Sequence, residues 1–103
     1  MQTTITARHC EIPDALRERA SAVIDRVGSL SSRAIEATVV FDAEGPSRTA
    51  EIRLHVDRGE VLIATGEADD HRTALDRAEE KLRRQLEKSA RPRRPRASGA
   101  EKG

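Results

Sequence analysis

The chain predicts an α+β fold, ordered β-α-β-β-β-α, with a four-stranded sheet and two helices packed on one face. Two observations carry that expectation. Four segments alternate apolar and polar residues, so the sheet has one apolar face. Two further segments space their apolar residues by four and three, so each is a helix with one apolar edge. Both edges need burial, and the single apolar sheet face provides it. The opposite face is then polar and wetted, as antiparallel sheets allow.

The elements follow in order. Gln2–Arg8 is Thr-rich and alternating, a strand with Ile5 inward. Ile12-Pro13-Asp14 opens a helix: proline suits the first helical position, and Asp14 faces the positive dipole end. Leu16, Ala20, Val23, Val27 and Leu30 form its buried edge, with Gly28 ending the helix and Leu30 packing just beyond. Ile35–Phe41 is the second strand, with Ile35, Ala37, Val39 and Phe41 on one face. Asp42–Ser47, containing Gly45-Pro46, is a hairpin loop. Thr49–Val56 points Ala50, Ile52, Leu54 and Val56 inward; Asp57–Glu60 is a tight turn, and Val61–Ala68 is the fourth strand, weakened at Gly66.

Asp69 or Asp70 caps the last helix. Its apolar edge is Ala74, Leu75, Ala78, Leu82 and Leu86, with Glu79, Glu80, Arg83 and Glu87 on the outer surface. Glu80→Arg84 and Glu87→Arg91 are i,i+4 pairs that support it, and Pro92 stops it. The chain thus divides into a folded domain over 1–91 and a disordered basic Arg/Pro tail over 92–103.

Charge is segregated along the chain. Residues 1–80 hold 10 Lys/Arg against 16 Asp/Glu, a balance of −6, whereas residues 81–103 hold 9 against 2, a balance of +7. The basic part begins on the last helix, where Arg77, Lys81, Arg84, Lys88 and Arg91 recur at four, three, four and three. That spacing stacks five cations along one side of a helix, a rod suited to a polyphosphate partner. The bland alternative is a solvated helix end whose cations favour the negative dipole terminus.

Catalytic chemistry finds little support. His9, His55 and His71 sit on different elements without metal-ligand spacing. Cys10 is the only cysteine, which excludes an internal disulfide and fits a reducing compartment, and it has no recognisable base partner. No glycine loop cradles a phosphate. The reading is a non-enzyme with no metal, no cofactor and no small-molecule substrate. No apolar run is long enough for a membrane span, so a cytoplasmic location without membrane partners is expected. With Phe41 as the one aromatic residue, placed inward, there is no platform for stacking bases. RNA contact would therefore run through phosphates, reading shape and charge.

Several segments, in their order and spacing, resemble the ribosome hibernation-promoting factor family, also called ribosome-associated inhibitors or sigma-54 modulation proteins. The likeness spans about residues 1–91. It rests on Met1-Gln2, Ile5-Thr6, Glu11-Ile12 and Ala15-Leu16-Arg17-Glu18. It continues through Val39-Val40, Leu54-His55-Val56 and Gly59-Glu60. It closes on Asp70, Ala74-Leu75-Asp76, Lys81-Leu82 and Arg84-Gln85-Leu86 with Lys88. The resemblance implies a protein that binds the small ribosomal subunit and its rRNA in the decoding channel, blocking mRNA and tRNA. It also implies the short type, acting alone or beside a second ribosome-dimerising factor, in stress or stationary phase. Carried over by position, the rRNA-binding residues are Arg77, Lys81, Arg84 and Lys88, with Arg26 on the first helix. Two departures stand out: Asp70-His71-Arg72 replaces an Asp-hydrophobic-Tyr segment, with Arg72 offering a phosphate contact in its place, and Ala22-Val23 is less basic than usual. Two alternatives remain open, a general structured-RNA module laid out like a double-stranded-RNA-binding domain, and a protein-interaction regulator using the acidic part.

Overall fold

The computed structural model describes residues 1–31 and 33–90. The elements are β1 (Gln2–Arg8), α1 (Asp14–Gly28), β2 (Ala34–Glu44), β3 (Ser47–Val56), β4 (Val61–Ala68) and α2 (His71–Ala90), with a 3-10 turn at Asp57–Gly59. The predicted order β-α-β-β-β-α is the observed one. The sheet runs β1-β2-β3-β4, with β1 parallel to β2 and the two later pairs antiparallel. Arg91, with its expected Glu87 pair, and the expected tail at 92–103 lie outside the described residues.

The core forms where alternation and helical spacing meet. Ala37, Val39 and Phe41 of β2, Ala50, Ile52, Leu54 and Val56 of β3, and Ala64 of β4 form the sheet side of the core, and Leu16, Ala20, Val23, Ile24 and Val27 of α1 join it from the helical layer. Ala74, Leu75, Ala78, Leu82 and Leu86 of α2 complete it. Each fully buried Leu, Ile, Val or Phe side chain stabilises the fold by about 1.5–3 kcal/mol relative to exposure. Gly45 has φ +58° and is followed by Pro46, so a two-residue turn of the II′ kind joins Glu44 to Ser47. The hairpin strands therefore reach further than the expected Asp42–Ser47 loop.

Three expectations fail locally. Leu30 is 43% exposed. Its spacing counts only while the helix continues, and α1 stops at Gly28; Ile24, omitted from the predicted edge, is buried inside the helix. Ile35 is 55% exposed because the register shifts between Ala34 and Glu36. The extra residue in that bulge breaks the alternation that would have turned Ile35 inward. Glu79, placed on the outer surface by its charge, is buried.

Candidate nucleic-acid interface

The site is built around α2. Asp70, rather than Asp69, caps it: Thr73 N–H donates to Asp70 Oδ1 at 2.8 Å, and the Thr73 hydroxyl donates to Oδ2 at 3.0 Å. These bonds to the ionised carboxylate, the backbone one foremost, hold the Asp70 carboxyl below its ordinary range. His71 fixes the same end to the sheet. Its Nε2–H donates to the Asp42 carbonyl at 2.8 Å, and its ring meets Phe41 edge-on with centroids 5.5 Å apart. The same Nε2 lies 3.8 Å from Cys10 Sγ. Since it already donates its proton to a carbonyl, it is not a free base for that thiol.

Gly66 sets how close α2 comes to the sheet. A Cβ there would stand 2.1 Å from the Ala74 carbonyl oxygen and 2.7 Å from the Ala78 nitrogen. Its role in β4 is this close approach, beyond the weakening of the strand expected from its sequence. The helix consequently lies along β4, the last strand of the sheet. Arg77 Nη1 donates to the Glu67 carbonyl at 2.6 Å, Lys81 Nζ to the Thr65 carbonyl at 2.9 Å, and Gln85 Nε2 to the Ile63 carbonyl at 2.9 Å.

At 100° per residue, Arg77, Lys81, Arg84 and Lys88 fall within one narrow sector of α2, the sector facing β4. Arg84 sits 3.3 Å from Glu80 with both side chains well exposed, the predicted i,i+4 pair. Lys88 is exposed, with no carboxylate within ion-pair distance among the described residues.

Arg26 and Arg72 lie on the other flank, toward α1. Arg26 donates to both oxygens of Glu79, at 3.1 and 3.2 Å, while half of its side chain stays exposed. The Glu79 hydrogen bond, followed by its charge, raises the Arg26 pKa. Arg83 approaches the same carboxylate at 3.6 Å, and Arg19 meets Asp76 at 2.8 Å. The two inter-helix pairs run in the same order along both helices, so the helix N-termini lie together. An open cleft of about 480 Å³ separates them, lined by Pro13, Leu16, Arg19, His71 and Arg72. The sequence-predicted cations are thus split between two flanks, one facing β4 and one facing α1. Sequence reading missed Gln85, Glu79 and Arg19, whose roles depend on partners 22, 53 and 57 residues away.

The family model described as Sigma 54 modulation protein / S30EA ribosomal protein matches residues 3–94. The chain belongs to this family. The resemblance read from the residues is therefore upheld. Among curated S30EA relatives, the chain is 36% identical over 88 residues to a ribosome hibernation promoting factor of Escherichia coli K12, covering 85% of this chain and 92% of that protein. It is 32% identical over 88 residues to one of Pseudomonas putida, covering 85% of each. A ribosome hibernation promotion factor of Rhizobium meliloti is 30% identical over 87 residues, which is 84% of this chain but 46% of that longer protein. Two solved structures share the family fold. A ribosomal subunit interface protein from Coxiella burnetii superposes with a TM-score of 0.79 at 22% identity, covering 86% of this chain and 97% of that one. The N-terminal domain of Thermus thermophilus Protein Y gives 0.76 at 27% identity, with 86% and 99% covered.

Proposed function

We propose that this chain is a ribosome hibernation factor. It binds the small subunit through rRNA phosphates in the channel for mRNA and tRNA, and inhibits translation by occupying that channel. Its work is then in the cytoplasm, and it needs no catalysis. The family membership and the relatives named for ribosome hibernation support the partner. The observation that carries the mode of binding is the row of Arg77, Lys81, Arg84 and Lys88 along the outer flank of α2 beside β4. Arginine and lysine in a row engage a phosphate backbone without reading bases. Phe41, the one Phe, Tyr or Trp residue, is fully buried, so no such side chain offers a platform for stacked bases.

Co-sedimentation with separated ribosomal subunits tests this reading. Saturable, near-stoichiometric binding to small subunits, displaced by mRNA with initiator tRNA, is the expected result. Four phosphate contacts would give a slope of log affinity against log salt of about −3 to −4. Equal binding to both subunits and to plain duplex RNA would instead describe a general structured-RNA module.

A further inference from the structure

The row Arg77, Lys81 and Gln85 does something on this chain that phosphate binding does not require. The three side chains are spaced i, i+4, i+8 on α2, and their acceptors, the carbonyls of Glu67, Thr65 and Ile63, are spaced by two along β4. Four helical residues rise about 6.0 Å and two strand residues about 6.7 Å, so the two repeats match for three successive bonds. In an antiparallel strand, alternate residues turn both N–H and C=O away from the neighbouring strand. Residues 63, 65 and 67 are those residues here, and the helix takes their acceptors. A fifth strand pairing on this edge would need the same carbonyls.

We propose that Arg77, Lys81 and Gln85 form a side-chain latch that closes the β4 edge against pairing with β4 of a second copy of this chain. The edge it guards is suited to such pairing. Val61–Thr65 reads Val-Leu-Ile-Ala-Thr, five residues without charge or proline, and Val61 and Ile63 are 41% and 46% exposed. Such a strand edge templates association unless it is blunted. A two-fold antiparallel pairing centred on Ile63 sets Ile63 against Ile63 and Val61 against Thr65, with no like charges opposed. A second copy is thus a self-complementary occupant. Gln85, uncharged and adding nothing to a phosphate rod, belongs to the latch alone. The latch is independent of the ribosomal reading, since it concerns the RNA-free protein.

The test is the mass of RNA-free protein by sedimentation equilibrium over a concentration series. Three proteins are compared: the parent chain, Arg77→Ala/Lys81→Ala/Gln85→Ala, and that variant with Ile63→Lys added. Circular dichroism monitors folding. The latchless variant is expected to show a concentration-dependent rise toward twice the monomer mass beyond anything the parent shows, and Ile63→Lys to reverse it by placing a charge on the edge. A folded latchless variant with the parent's mass at every concentration overturns the proposal, as does association that Ile63→Lys leaves intact. Should the triple variant not fold, Gln85→Glu serves: its carboxylate cannot donate to the Ile63 carbonyl, and the same rise, reversed by Ile63→Lys, is expected. An unchanged mass for folded Gln85→Glu would then overturn the latch.

Discussion

Arg26 and Glu79, 53 residues apart in sequence, meet through two hydrogen bonds of 3.1 and 3.2 Å that tie α1 to α2. The carboxylate is the buried partner, and the guanidinium is half exposed. Truncating Arg26 to alanine strands Glu79 with Arg83 alone, 3.6 Å away. Arg26→Ala should destabilise the fold by about 1 kcal/mol, a modest cost because solvent and Arg83 share the remaining charge. Urea unfolding measures it. Arg26→Ala combined with Glu79→Gln should recover part of the loss, since no buried charge is then left unpaired.

Gly66 and Ala74 hold α2 against β4. Gly66→Ala puts a methyl group 2.1 Å from the Ala74 carbonyl, so helix and strand must separate. Overpacking of this kind costs about 1–3 kcal/mol, and the rigid backbone on both sides favours the upper end. A thermal melt is the check. Gly45→Ala should also destabilise, through its φ of +58° with nothing crowding the added atom.

Acid should weaken the fold in a defined window. The Asp70 carboxyl is held below its ordinary range by the Thr73 bonds, and that of Asp42 by His9 first and then the Ala43 N–H. A carboxylate depressed in the folded state contributes fully above its unfolded value, about 3.9, and the contribution is lost as pH falls below that value through the folded one. Unfolding free energy measured from pH 6 to pH 2 should therefore decline below about pH 4–5. Asp70→Asn, which can still accept at the cap but does not titrate, should flatten part of that decline.

How much of this was legible in the sequence depends on the range of the cause. Alternation in Thr49–Val56 and helical spacing from Ala74 to Leu86 mark burial because each reflects a local period, and the apolar residues they single out, Ala50, Ile52, Leu54 and Val56 with Ala74, Leu75, Ala78, Leu82 and Leu86, are all inside. Ile35 and Leu30 break from that logic where the period itself ends, at a bulge and at a helix terminus. Glu79 looks like surface because it is charged; Arg83 at i+4 is a partner the spacing offers, but the two hydrogen bonds from Arg26 of α1 that go with its burial leave no trace in the neighbouring residues. The cation row on α2 was visible as spacing. The placement of Arg26 and Arg72 on a separate flank beside α1 was not, because it depends on how the two helices pack together. Gln85 is an ordinary polar helix residue until β4 is beside it.

Arg84 and Lys88 give the most direct test of the central claim, that the α2 flank beside β4 holds rRNA phosphates. Neither is buried, and neither bonds the β4 edge. Arg84→Glu/Lys88→Glu should therefore leave the protein folded at a cost of about 1 kcal/mol, from the lost Glu80–Arg84 pair and the like charges then spaced i,i+4 along an exposed helix face. In co-sedimentation with purified small subunits at fixed salt, the folded double variant should bind about tenfold or more weakly, with a shallower salt slope. Unchanged binding and an unchanged slope would contradict the account and move the RNA-facing surface away from this flank of α2.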